Sequence, residues 1–151
     1  MKNLPHGIIS IILAGLAIFI GIVAVFMDNM ILALLYLAAN ILGFLIIVYS
    51  YCTKCAGRTK CAHVVLGKIT KLLPHREQSK YSFFDYAGVV VPFILIVAFP
   101  QFYLIKHLWM LIAFWLLLLV AVLEINKYVC TMCVNSKCLL CKNKCLIIRT
   151  E

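Results

Sequence analysis

The chain has little charge, and acidic residues are especially few. Charged side chains make up 13% of its 151 residues, against roughly 25% in a typical soluble domain. Hydrophobic residues account for 66%, and mean hydropathy is +1.09. This composition excludes a disordered chain, because such chains lack apolar residues. It also argues against a soluble globular protein, so the class that fits is a membrane protein.

Several chemical signatures are also missing. The sequence shows no nucleophile with a partnered base and no phosphate-binding loop, so whether the protein is an enzyme stays open. No chain of acidic residues runs through the apolar stretches, which disfavours an ion or metal transport pathway. The four histidines lie outside the interiors of those stretches, which argues against a haem held by two histidines. They are His6, His63, His75 and His107.

Four apolar stretches are long enough to cross a bilayer, which takes about 20 residues as a helix. They cover residues 7–27, 30–51, 86–105 and 108–125. The first is longer than the roughly 7–15 residues of a signal-peptide core, so we expect it to stay as an uncleaved span. Two residues separate the first two stretches, and two separate the last two. The sequence therefore predicts an all-α integral membrane protein with four transmembrane helices in two tandem hairpins.

The basic residues predict the orientation of these spans. With four spans, both termini and the segment between the hairpins share one side of the membrane. That side holds 13 of the 14 Lys and Arg residues, and Lys106 alone lies opposite. Because basic residues favour the cytoplasmic side, we expect an inner-membrane protein with both termini cytoplasmic. These basic residues flank spans, so membrane lipid and not nucleic acid is the expected partner.

The eight cysteines fall into two similar segments, one after each hairpin. Each segment reads C-T-x-C, a short polar linker and then Lys-Cys; the first begins at Cys52 and the second at Cys130, 78 positions later. The simplest account is an internal repeat of two hairpin-plus-cysteine units with the same topology, related by an axis along the membrane normal. The expected units are 1–63 and 86–151.

Residues 64–85 are predicted to form an amphipathic interfacial linker between the two units. Apolar residues recur there at spacings of three and four, at Val65, Leu66, Ile69, Leu72 and Leu73. Lys68 and Lys71 take the other face, and Pro74 ends the pattern. The spacing predicts a short helix lying on the membrane, with docking onto a partner protein as the alternative.

The cysteines indicate a function that depends on thiolate chemistry. In a reducing cytoplasm they are expected to be thiolates or metal ligands, not structural disulfides. Two C-x2-C pairs, or one pair with two further ligands, complete a tetrahedral site. The run from Cys130 to Cys141 holds four cysteines and is the stronger candidate; the first motif offers three, completed by His63 or by Cys145. The predicted ligands are Cys52, Cys55, Cys61, His63, Cys130, Cys133, Cys138, Cys141 and Cys145.

The identity of the metal is less determined than its ligands. Sites built from thiolates suit zinc or iron–sulfur clusters. The bacterial ferredoxin run and the zinc-ribbon spacing are both absent, while the C-x2-C-x4-C spacing is shared with zinc knuckles. The favoured hypothesis is an iron–sulfur protein that transfers electrons or anchors other membrane or peripheral redox subunits. The alternatives are a zinc-stapled structural or adaptor protein and a protein that handles soft metals.

Polar and helix-breaking residues inside the spans raise further expectations. Asn40 is expected to hydrogen-bond across helices. Glu124 could bind a proton or contact a metal ligand, or simply pair with Lys127 three positions later. Pro92 and Pro100 are expected to kink the third span. Close helix packing is expected along a small-residue seam on the first span, at Ala14, Ala17, Gly21 and Ala24.

Overall fold

All regular secondary structure in the described residues is helical. The computed structural model describes residues 4–55, 64–74, 76 and 81–130. The helices are α1 (Leu4–Asp28), α2 (Met30–Tyr51), α3 (Val64–Leu72), α4 (Phe83–Ala98), α5 (Gln101–Leu104) and α6 (Leu108–Glu124). A 3-10 turn, Cys52–Lys54, continues α2, and a π turn, Ile125–Val129, continues α6.

Four helical stretches are long and apolar enough to cross a membrane, as the sequence predicts. They are His6–Asp28, Met30–Lys54, Phe83–Leu104 and Leu108–Val129. A helix satisfies its own backbone hydrogen bonds, which is the requirement for a segment surrounded by lipid. Large apolar side chains on the outside of the bundle stay exposed, including Phe19, Leu95 and Trp109.

Local capping explains where two of these helices begin. The Asn29 side chain accepts hydrogen bonds from the backbone N–H groups of Ile31 (2.9 Å) and Leu32 (3.2 Å), which starts α2 directly after α1. Ser82 and Asp85 form a capping box at the start of α4. Such caps satisfy the backbone donors that a helix N-terminus leaves without partners. The third span therefore begins at residue 83, three residues earlier than the apolar pattern suggested.

The two prolines of the third span act differently. Pro92 lies inside α4, which runs on to Ala98. Pro100 follows the end of α4 and is the N-cap of α5. The helix is interrupted at Pro100, which cannot donate a backbone hydrogen bond. The third span nevertheless ends at Leu104 and the fourth begins at Leu108, so three residues link them, one more than the sequence suggested.

Helix packing departs from two compact hairpins. Helices α1 and α2 contact each other, α6 packs along α1, and α4 packs along α2. Over the described residues α4 and α6 do not pack against one another, although they are joined through α5, so a compact second hairpin is not confirmed. The last two spans therefore pack on different members of the first pair.

Small residues allow the close approach of α1 to its neighbours. Ala17 and Ala24 are buried together with Leu104 and Phe114 in one apolar cluster. A Cβ added at Gly21 would lie 3.2 Å from the Cβ of Pro100. The small-residue seam on the first span therefore forms a helix-packing surface, as expected from its composition.

Gly43 and Gly88 likewise allow close approach between α2 and α4. A Cβ added at Gly43 would lie 3.1 Å from Cδ1 of Ile96 and 3.3 Å from Cβ of Pro92. A Cβ added at Gly88 would lie 2.9 Å from Cβ of Ser50 and closer still to its hydroxyl. The two helices can pack this tightly because neither glycine has a side chain.

Ion pairs define the two ends of the bundle. At one end Lys106 Nζ lies 2.6 Å from Asp28 Oδ1. At the other end His6 at the start of α1 pairs with Glu124 at the end of α6. We call this second end the cysteine end, because α2 and the π turn after α6 lead there into the cysteine motifs. Helix α3 packs at the same end against α1, α2 and the 3-10 turn.

Helix α3 forms where the apolar spacing predicts a helix. Gly67 and Thr70 of this helix are buried. Leu72, from the predicted apolar face, is 87% exposed. Whether this face lies on the membrane or on a partner stays a prediction.

Candidate metal centre at the cysteine end

Three of the predicted metal ligands belong to the described residues, and all three lie at the cysteine end: Cys52, Cys55 and Cys130. Among the described residues no three His, Cys, Asp or Glu side chains come together as a metal site. The remaining predicted ligands lie outside the described residues. They are Cys61, His63, Cys133, Cys138, Cys141 and Cys145.

The first motif is a tight turn that continues α2. Cys52 keeps helical dihedral angles (φ −75°, ψ −28°), and the backbone N–H of Cys55 donates to the Cys52 carbonyl at 3.2 Å. Cys55 then leaves the helix in an extended conformation. Thr53 is buried, and its hydroxyl donates to the Tyr49 carbonyl at 2.5 Å. The threonine thus holds the turn onto α2, while both cysteines are thiols and partly exposed.

The second motif begins in the same way but differs in chemical state. Cys130 follows the π turn with φ −66° and ψ −29°, close to the values at Cys52. It is fully buried and disulfide-bonded. The expectation of reduced cysteines is therefore not met at this position. Metal binding by Cys130 requires reduction of that disulfide, because the metal ligand is a thiolate.

A buried carboxylate holds the first motif in place. Asp85 is 2% exposed, and its Oδ2 lies 2.6 Å from the Lys54 ammonium. Its Oδ1 lies 3.1 Å from the guanidinium of Arg76, and Ser82 donates to Oδ2 from both its backbone N–H and its hydroxyl. A charge removed from water requires such partners. Since Lys54 lies between Cys52 and Cys55, the ion pair ties the cysteine turn to α4.

Sequence reasoning missed Asp85. The available signal was the pattern Ser82-x-x-Asp85 directly before an apolar run, which is typical of a helix start. In the structure Lys54 and Arg76 both contact the Asp85 carboxylate, so this group of three side chains keeps one net positive charge.

Aromatic rings surround this ion cluster. The Arg76 guanidinium carbon lies 5.3 Å from the centre of the Tyr49 ring. Tyr51 and Tyr81 stack with their ring centres 4.6 Å apart, and Tyr86 lies 5.9 Å from Tyr81. The guanidinium therefore has both a carboxylate and an aromatic face as partners.

A second polar cluster precedes the second motif. His6 Nδ1 lies 2.9 Å from Glu124 Oε2, and the His6 ring stacks on Tyr128 with centres 4.0 Å apart. Glu124 thus pairs with the start of α1 and not with Lys127. The Lys127 ammonium lies 5.5 Å from the centre of the Tyr128 ring. The cluster joins α1 to the π turn that leads into Cys130.

Asn40 does not make the expected bond between helices. Its Nδ2 donates to the Tyr36 carbonyl of its own helix at 2.7 Å, and its buried Oδ1 has no hydrogen-bond donor among the described residues. Tyr36 makes the interhelical bond instead, donating from its hydroxyl to the Ile96 carbonyl at 2.6 Å.

Comparison with protein-family models, with curated proteins and with solved structures finds no match to this chain. The class therefore follows from the fold and composition alone. Over its described residues the protein is all-helical, with four helices long and apolar enough to span a membrane. Its candidate site is the cysteine end of that bundle.

Proposed function

We propose that this membrane protein binds metal through its two cysteine motifs at one membrane face, with iron–sulfur clusters as the favoured cofactor. It would serve as an electron-transfer or anchoring subunit of a larger redox assembly. The observation that supports this most is the position of the first cysteine of each motif. Cys52 and Cys130 continue two different spans with nearly the same dihedral angles, and both lie at the cysteine end.

The first motif supplies a pair of thiols suited to one metal. Cys52 and Cys55 are partly exposed, so an ion can approach them. The buried Thr53 between them leaves both sulfurs on a turn that is already anchored to α2. A tetrahedral centre needs two further ligands, for which the chain offers Cys61 with either His63 or Cys145.

The second motif supplies four cysteines within a short run, at 130, 133, 138 and 141. The disulfide of Cys130 makes loading of this motif dependent on a reducing environment. A cytoplasmic location meets that condition, and the distribution of Lys and Arg favours the same side. The proposed location is therefore the inner membrane, with both termini and both motifs facing the cytoplasm.

Purification of the full-length protein in detergent under anaerobic, reducing conditions tests this proposal. Metal analysis, acid-labile sulfide and the visible spectrum are the measurements. We expect iron and sulfide together, with a brown absorbance that bleaches on reduction. A colourless protein with near-stoichiometric zinc would replace the redox role with a structural one. Protein that stays free of metal after reduction and reconstitution would overturn metal binding altogether.

Matched variants assign the ligands. Replacing Cys52 and Cys55 with Ser should remove the metal of the first motif and leave that of the second. His63→Ala tests the weaker ligand, and His107→Ala is its control, because His107 adjoins Lys106 at the opposite end of the bundle. Equal metal content in the two histidine variants would exclude His63 and favour Cys145.

A further inference from the structure

The first cysteine motif is attached to α4 by an ion pair of unusual burial. Lys54 and Asp85 lie 2.6 Å apart with side chains that are 9% and 2% exposed. Lys106 and Asp28 at the opposite end have the same separation, but their side chains are 56% and 44% exposed. Exposed pairs contribute little because water competes for both charges. Breaking a buried pair is costly because it leaves a charge without a partner.

Arg76 extends this attachment to a second point of the chain. It contacts the other oxygen of Asp85 and is 33% exposed. Lys54 and Arg76 therefore bind the same carboxylate. Lys54 lies between Cys52 and Cys55, the two described cysteines of the first motif.

We infer that Asp85 is the positioning residue of the first metal site, an inference that rests on the proposed function. By pairing with Lys54, it fixes the turn that carries Cys52 and Cys55 against α4. Asp85 itself is not a ligand: both of its oxygens are occupied by Lys54, Arg76 and Ser82. Pre-organisation of this turn lowers the entropy lost when Cys52 and Cys55 converge on an ion.

Asp85→Asn in the full-length protein tests this role, with Asp28→Asn as the matched control. Both variants are made in a chain whose second motif is disabled by Cys130→Ser and Cys133→Ser. Residues around metal sites that orient ligands typically change affinity by about 10–100-fold, and we expect a loss in that range for Asp85→Asn. Asp28→Asn should keep the parent affinity; an equal effect of the two variants would overturn the inference.

A double-mutant cycle separates positioning from general damage to the fold. Lys54→Met should weaken metal binding and should have little further effect in the Asp85→Asn background. Lys54→Arg keeps the charge and should restore both affinity and the thiolate-to-Co²⁺ absorption of cobalt-loaded protein. Additive losses from Lys54→Met and Asp85→Asn would show that the two residues act independently and would overturn the inference.

Alkylation rates of Cys52 and Cys55 in metal-free protein give a readout that does not depend on the proposed function. Mass spectrometry should show faster modification of Cys55 in Asp85→Asn than in Asp28→Asn. If the parent protein binds no metal while this difference remains, the proposed function fails and the positioning of the turn stands. If metal binds but Asp85→Asn and Asp28→Asn have equal alkylation rates and equal metal affinities, only the positioning role fails.

Discussion

The Tyr36 hydroxyl donates a hydrogen bond of 2.6 Å to the carbonyl of Ile96, joining α2 to α4 within the membrane-spanning part of the bundle. In an α-helix the carbonyl of residue 96 accepts from the N–H of residue 100. That residue is Pro100, which has no N–H. The tyrosine therefore supplies the donor that the proline removes, and the break in the third span and the α2–α4 interface depend on each other.

We expect Tyr36→Phe to destabilise the protein by about 0.5–1.5 kcal/mol, the range for hydrogen bonds between membrane helices. The physical reason is that Ile96 would keep a carbonyl without a donor. Reversible unfolding in mixed SDS micelles measures the change. Pro100→Ala restores a backbone donor, so Tyr36→Phe should cost less in that background. An equal cost in both backgrounds would contradict the proposed compensation.

Two glycine substitutions should separate steric contact from helix propensity. Gly88→Ala places a Cβ against the Ser50 side chain, where no space exists, so α4 must shift away from α2. Gly15→Ala meets nothing within 4 Å and should be neutral or stabilise by up to about 1 kcal/mol, because alanine favours helix more than glycine does. Thermal unfolding measures both. Ser50→Gly should rescue Gly88→Ala; a failure to rescue would place the clash elsewhere.

The orientation of the bundle can be measured by thiol labelling of intact cells. A membrane-impermeant maleimide applied from outside should not label Cys55, since the cysteine end is predicted to face the cytoplasm. A cysteine introduced by His107→Cys, next to Lys106 at the opposite end, should be labelled. Permeabilised cells provide the control in which both positions react. Labelling of Cys55 in intact cells would reverse the predicted orientation.

Redox state should control metal binding by the second motif more than by the first. Cys130 is disulfide-bonded, whereas Cys52 and Cys55 are thiols. Protein prepared without reductant should therefore load metal at the first motif alone, and reduction should add the second site. Metal stoichiometry before and after reduction checks this, with Cys130→Ser as the variant in which reduction adds less. Equal loading with and without reductant would be the contrary result.

The lengths of the apolar runs and the positions of the small residues were sufficient to predict part of the fold. The four spans were predictable because a helix must supply every hydrogen bond of a lipid-exposed backbone, and that demand appears directly as uncharged stretches. The small-residue seam at Ala17 and Ala24 was predictable because close packing excludes large side chains. Functional assignments for the cysteines remain predictions, since most of the ligands lie outside the described residues.

Sequence alone therefore determined the helical class and the number of potential spans, because both depend on local composition. Tertiary structure decided which helices are neighbours and which charges are neutralised. Short links pointed to sequential hairpins, but in the folded bundle α6 packs along α1 and α4 packs along α2. Only folding brings Asp85 to Lys54 and Arg76, which lie 31 and 9 residues away.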